Sequence, residues 1–155
     1  METPSNLKDN TVDELKSLIT ANANSAEIYR NASDLAKSSG LTDLFRSIAV
    51  QRESNAKDLQ QALALTGETK QYETSLAEPL QSWFMKVRDK FQSEEEVGLL
   101  SELERSEDRI LHAYQDALKE TAGSPLNKRL HEQITGVKKH HDQIRDMRDA
   151  AKARS

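Results

Sequence analysis

The sequence predicts an all-α protein, and two observations predict this class. Residues that favour helices, mainly Ala, Leu, Glu, Lys and Gln, are plentiful, whereas aromatic residues make up only 5% of the chain. The chain has 5 glycines and 3 prolines, and its apolar residues recur every three or four positions over long stretches. At 155 residues it can bury one core, so a single helical domain is expected.

The first two predicted helices form a hairpin. A capping box, TVDE, that begins at Thr11 opens a helix over residues 11–37. The segment SSG ends this helix, with Gly40 available for a left-handed cap. A second helix follows over residues 41–66. Because the connection is short, these two helices must run antiparallel.

A second hairpin is predicted in the C-terminal half. The capping box SEEE, which begins at Ser93, opens a helix over residues 93–121. The segment AGSP then breaks the chain. Ser124 can cap the next helix and Pro125 can occupy its first position, which predicts a helix over residues 125–151.

A long connection joins the two hairpins, and it predicts the topology. Residues 67–92 are enough to travel the length of a bundle, and within them residues 75–91 have the spacing of a short extra helix. The second and third long helices would then be parallel. This is the ferritin-like four-helix bundle with a long crossover. The domain spans residues 11–151, preceded by a flexible N-terminal tail, residues 1–10.

Composition argues against several classes of function. The net charge is -4, so no general cationic field would attract nucleic acid or a membrane surface. The absence of cysteine excludes thiol catalysis and thiolate metal sites. No signal peptide and no run of about 18 apolar residues is found, so a cytoplasmic location is expected.

Several polar residues fall on the apolar stripes of the predicted helices. On helical wheels Arg52, Glu107 and His141 are central, whereas Asn55 and Glu104 lie toward the margins. Glu107 is 16 residues before the turn near residue 123 and His141 is 18 after it, which places both at one depth. We therefore expect these five residues to form a buried polar layer near the middle of the bundle.

Two interpretations of this layer compete. Inward carboxylates and imidazoles could bind iron or another divalent metal, with Glu104, Glu107 and His141 as ligands and Glu53 or His140 as further ones. Alternatively, Arg52 neutralises Glu107 and the layer aligns the helices without any cofactor.

Comparison with the di-iron pattern favours the structural interpretation. Where Glu-x-x-His is needed, the second helix has Arg52-x-x-Asn55 and the last has Lys138-x-x-His141. A guanidinium group among the ligands would repel a divalent cation and cannot lose its proton.

Five segments resemble a known family, the uncharacterised bacterial ferritin-like four-helix-bundle proteins, a domain of unknown function often described as stress-associated. They are AEIYRNAS (26–33), QRESNAKDLQ (51–60), LQSWFMKVRDK (80–90), ELERSEDRILHAYQDAL (102–118) and HHDQIRDM (140–147). The resemblance covers about residues 11–148 and implies the fold and a bacterial cytosolic setting, but no reaction. Ala26 stands where relatives often carry an acidic residue, which argues against a metal.

These observations favour a non-enzymatic structural, interaction or stress-related protein. No nucleophile set and no phosphate-binding glycine loop occurs, so no catalytic residue is predicted. The alternative is a metal-binding, iron-dependent oxidoreductase or iron-handling protein. A third hypothesis is an adaptor for a partner helix. The expected partner is another protein or a second copy of the chain, with Trp83 and Phe84 as a candidate dimer contact.

Overall fold

A computed structural model describes residues 2–67 and 78–154, except that the side chains of residues 78–95 other than Met85 lie outside the description. Four helices account for most of these residues: α1 (Asp9–Leu35), α2 (Ser39–Ala64), α3 (Glu78–Glu120) and α4 (Asn127–Arg154). The described part of the chain contains no strand, which confirms the all-α prediction for those residues. None of its helices has the length and apolar character needed to cross a membrane.

Helix α1 begins at Asp9, and the predicted cap at Thr11 was wrong. Thr11 lies inside the helix, where its hydroxyl donates a hydrogen bond of 2.6 Å to the carboxylate of Glu2. The same carboxylate accepts from the backbone N–H of Lys8 at 2.7 Å. A side chain from the preceding segment therefore supplies the acceptor at this helix terminus, which favours negative charge.

The turn between α1 and α2 does not use Gly40 as a left-handed cap. Ala36 is extended and already leads the chain out of α1, and Ser38 caps α2 by accepting from the N–H of Leu41 at 3.3 Å. Gly40 falls in the first turn of α2. The described glycines with positive φ are Gly67, at 86°, and Gly123, at 82°, which follow α2 and α3.

Helix α3 is continuous where two elements were predicted. The short helix over residues 75–91 and the helix over residues 93–121 are one helix of 43 residues, Glu78–Glu120. The capping box at Ser93 does not start a helix because no glycine or proline precedes it to end one: neither occurs between Leu80 and Val97. Helix α4 begins at Asn127, two residues after the predicted start.

Helix α3 cannot be straight along its whole length. Arg52 of α2 pairs with Glu107 of α3, so these residues lie at similar depth. A straight α3 would then place Glu78 about 60 Å from the end of α2. A fully extended chain from Gly67 to Glu78 reaches at most about 40 Å. The axis of α3 therefore changes direction between Glu78 and Glu107.

Residue pairs between helices establish their directions. Asn22 and Tyr29 of α1 contact Tyr114 and Glu107 of α3 in reverse order, so α1 and α3 are antiparallel. Helix α1 is also antiparallel to α2, across their short turn. Helices α2 and α3 consequently run in the same direction, as the long crossover predicts.

The core consists of two apolar clusters, one toward each end of the bundle. The first cluster surrounds Tyr29, Phe45, Ile48, Leu99, Leu103 and Ile144. The second surrounds Leu15, Leu18, Leu59, Tyr114, Leu130 and Val137. All of these side chains are fully buried, and each cluster takes residues from all four helices. Polar residues occupy the level between the clusters.

Candidate functional site

The centre of the bundle holds a fully buried ion pair between Arg52 and Glu107. Both side chains are 0% exposed. The Nη2 of Arg52 lies 3.0 Å from Oε1 and 3.0 Å from Oε2 of Glu107, so one nitrogen contacts both carboxylate oxygens. Removing two charges from water is costly, and this contact neutralises each charge with the other.

The apolar patterns of α2 and α3 explain why both side chains point inward. Arg52 is one turn after Ile48 and one turn before Ala56, and both neighbours are buried. Glu107 is four residues after Leu103 and three before Ile110, which are also buried. Each charged residue therefore sits on a stripe that packing holds against the core.

Two hydroxyl groups add hydrogen bonds to the pair, whereas the buried Nε of Arg52 has no hydrogen-bond partner among the described residues. The Oγ of Ser25 accepts from Arg52 Nη1 at 3.0 Å, and the hydroxyl of Tyr29 donates to Glu107 Oε1. The guanidinium carbon of Arg52 lies 5.8 Å from the centroid of the Tyr29 ring, within range of a cation–π contact. Burial, together with the neighbouring charge of Glu107, raises the pKa of Tyr29 well above its ordinary value. Tyr29 is therefore a permanent donor.

A second group of hydrogen bonds continues from this pair toward the opposite end of the bundle. The Nδ2 of Asn22 donates to the Tyr114 hydroxyl at 2.8 Å, and that hydroxyl donates to Oε1 of Gln133 at 2.8 Å. Gln133 in turn donates to Asp58 at 2.9 Å, and Asn55 donates to Asn22 at 3.4 Å. Burial raises the pKa of Tyr114 to about 12. This group links all four helices.

We call these central residues the polar layer. It consists of Asn22, Ser25, Tyr29, Arg52, Asn55, Glu107 and Tyr114. All except the half-buried Asn55 are buried. A substrate in solution could not reach the ion pair without separation of the helices, so the layer is suited to holding the helices in register.

Three of the five residues predicted for this layer lie in it. The structure brings Arg52 and Glu107 into direct contact and places Asn55 beside Asn22. It does not bring Glu104 and His141 to them. Glu104 forms an ion pair with Arg148 of α4.

The predicted central position of His141 was wrong. Its Nε2 lies 2.6 Å from Asp108 and its Nδ1 lies 3.3 Å from Asp142, at the edge of the contact between α3 and α4. The two adjacent histidines leave α4 about 100° apart, so they flank the stripe of Val137 and Ile144 on opposite sides. His140, not His141, faces the side of Arg52, whose positive charge contributes to its pKa shift.

The two histidines should affect acid stability in opposite directions. Burial, Arg52 and Lys139 lower the pKa of His140 to about 4. Burial alone would lower the pKa of His141, but hydrogen bonds to Asp108 and Asp142 outweigh it and raise that pKa. As pH falls from 6.5 to 4, the unfolded chain therefore takes up a proton at His140 that the folded chain does not. The free energy of unfolding decreases as pH decreases over this range. His141 contributes stability below pH 6.5 that is lost as pH rises through its raised pKa.

Urea unfolding at pH 7 and pH 4.5 tests this difference. From pH 7 to 4.5, His140→Gln should lose about 1–2 kcal/mol less stability than the unchanged chain, after allowance for solvent screening of a half-buried group. His141→Gln should lose more than the unchanged chain, because the compensating histidine is gone. Equal losses in all three proteins would contradict the assignment.

The predicted metal ligands do not fit a metal site. Glu107 contacts Arg52, Glu104 contacts Arg148 and His141 contacts Asp108, so the three side chains turn to different partners. Among the residues that the structure describes, no group of three His, Asp or Glu side chains could hold an ion. The further candidates do not alter this: Glu53 pairs with Arg30, and His140 is on the side of the cationic Arg52.

Sequence analysis missed three hydroxyl groups of the polar layer, those of Tyr29, Ser25 and Tyr114. All three lie on buried stripes, and a signal for the tyrosines was available: a buried tyrosine hydroxyl usually finds a hydrogen-bond partner. Ser25 carried no comparable signal, because serine is common on helices of every kind. The aromatic contact predicted at Trp83 and Phe84 lies outside the described side chains.

Comparison with known proteins identifies a family but no activity. A family model described as a domain of unknown function (DUF2383) matches residues 10–120, well over half of the chain. No curated protein and no solved structure matches the chain. The matched segment includes the whole polar layer and ends before α4.

Proposed function

The chain belongs to the domain-of-unknown-function family DUF2383, whose description assigns no reaction, and we propose that it is a non-enzymatic helical interaction domain. One observation carries the proposal: Glu107, the inward carboxylate that a metal site would need, is fully buried and contacts Arg52 through both oxygens. A permanently charged guanidinium group occupies the place where a divalent cation would bind.

The same contacts favour a role in alignment of the helices. The polar layer separates two apolar clusters that would otherwise accept several registers, since apolar contacts are not directional. Arg52 and Glu107 can form their ion pair only in one axial register of α2 against α3. A rigid bundle of this kind can present fixed helix surfaces to a partner.

Two finer features belong to this proposal. A ferritin-like arrangement is supported by the parallel directions of α2 and α3. A stress-related role in the bacterial cytoplasm is supported by the resemblance of the five sequence segments alone.

Elemental analysis tests the proposal against the metal-binding alternative. After expression in iron-supplemented medium, the purified protein should contain metal well below one ion per chain. Glu107→Gln should leave this content unchanged, because the carboxylate is held by Arg52. One or two ions per chain that are lost in Glu107→Ala would contradict the proposal, and Glu132→Gln, on the exposed face of α4, is the matched control.

A further inference from the structure

The outer face of α2 carries a regular stripe opposite the core. Six exposed residues follow one another there at alternating spacings of four and three positions: Asp43, Ser47, Val50, Ser54, Lys57 and Gln61. We call these residues the outer stripe. This spacing keeps the residues on one line along a helix, as in the contact seam of two packed helices.

The shape of the outer stripe allows close approach of another helix. Val50, 65% exposed, is at its middle, with the short side chains of Ser47 and Ser54 on either side. A groove of about 370 Å³ lies beside Val50 toward Lys57 and Gln61, and one of about 380 Å³ lies toward Arg30 and Asp34 of α1. In two copies related by a two-fold axis at Val50, the two valines can meet at the axis, with a groove on each side of them.

In one orientation, the charges of the outer stripe are complementary to those of the same stripe on a second copy. If two copies of α2 pack antiparallel about a two-fold axis at Val50, residues seven positions before and after Val50 oppose each other. Asp43 then faces Lys57 of the second copy, and by symmetry this pair forms twice. In a parallel arrangement, Asp43 would face Asp43 and Lys57 would face Lys57, which is unfavourable.

A flanking pair has the same complementarity. Arg46 lies one turn before Val50 on the side of the stripe that also holds Glu53. In the antiparallel arrangement Arg46 approaches Glu53 of the second copy, which also pairs with Arg30 of its own chain. Asp43, Arg46 and Lys57 form no ion pair within the described part of their own chain, so they are available for these contacts.

From this complementarity we propose that the outer face of α2 is the contact surface of a homodimer, with two α2 helices antiparallel about a two-fold axis at Val50. The proposal extends the proposed function, an interaction domain, by naming a second copy of this chain as its partner. It rests on a surface remote from the polar layer. Its test is a mass measurement, whose result is independent of metal content.

Sedimentation equilibrium on the full chain tests the proposal. At concentrations up to about 500 µM, the mass should approach twice the chain mass of 17.5 kDa, because small helical contacts of this kind dissociate in the micromolar range. Val50→Glu should raise the dissociation constant at least about tenfold, since it places two carboxylates at the two-fold axis. A mass of one chain throughout would overturn the proposal.

Charge reversal identifies the surface. Asp43→Lys and Lys57→Asp should each weaken the dimer, because each single change creates two pairs of like charges. The double variant Asp43→Lys/Lys57→Asp restores both opposite-charge pairs and should restore the affinity. Lys128→Asp on α4 makes the same charge change as Lys57→Asp and should leave the mass unchanged. A dimer that Val50→Glu and both single reversals leave intact would use another surface and would overturn the proposal.

Discussion

Glu107→Gln is expected to lower the free energy of unfolding by about 3–5 kcal/mol, because it leaves the charge of Arg52 buried without a counter-charge. Arg52 is 0% exposed, so water cannot replace the lost carboxylate unless the helices separate. Glutamine keeps the shape of glutamate, so loss of charge is separated from loss of packing. Urea unfolding followed by circular dichroism at pH 7 measures the change.

Two further variants distinguish a buried pair from an ordinary ion pair. Glu27→Gln removes a carboxylate from the surface pair with Arg30, whose atoms are 2.6 Å apart, and should cost less than about 1 kcal/mol. The double variant Arg52→Met/Glu107→Leu removes both buried charges and should recover most of the stability lost in Glu107→Gln. If Glu107→Gln costs no more than Glu27→Gln, the pair is not buried in solution.

Tyr114→Phe should have the next largest effect, a loss of about 2–3 kcal/mol. The change removes one oxygen atom and leaves two buried groups unpaired: the Oε1 of Gln133, and one N–H of Asn22 Nδ2, whose other N–H donates to the carbonyl of Leu18. A buried polar group that loses its hydrogen bond costs about 1–3 kcal/mol. The ring remains, so no large cavity contributes to the loss.

A double-mutant cycle tests whether the hydrogen bond to Gln133 causes this loss. Gln133→Leu removes one of the two groups that Tyr114→Phe leaves unpaired. The double variant Tyr114→Phe/Gln133→Leu should therefore be more stable than the sum of the single losses predicts, by at least about 0.5 kcal/mol. Gln143→Leu, on an exposed position of α4, is the control and should combine additively with Tyr114→Phe. Additive losses at Gln133 would contradict the hydrogen-bonded arrangement.

The buried Arg52–Glu107 pair shows why part of the site could be predicted. Each residue is central on a strong apolar stripe, and α2 and α3 run parallel, so helical periodicity and a depth count were sufficient to bring them together. The position of His141 could not be predicted in the same way. His140 and His141 lie nearly symmetrically about their stripe, and a wheel cannot decide which neighbouring helix each one faces.

The boundaries of the helices, too, could be predicted only in part. The turn regions between α1 and α2 and between α3 and α4 follow from Gly, Ser and Pro in the sequence, but the N-terminus of α1 depends on a side chain from the preceding segment. Thr11 has the sequence pattern of a cap, but in the structure its hydroxyl donates a hydrogen bond to Glu2. Ser93 looks like the start of a helix, yet α3 continues through it because helix-forming residues lie on both sides.

The sequence by itself determined the helical class, the antiparallel hairpins and the inward direction of Arg52 and Glu107, because all three depend on local spacing and short connections. Only the tertiary structure decided which partners the polar residues take. Tyr29 binds Glu107, Glu104 binds Arg148 and His141 binds Asp108. Such pairings depend on the relative rotation of packed helices, and side chains from all four helices set that rotation together.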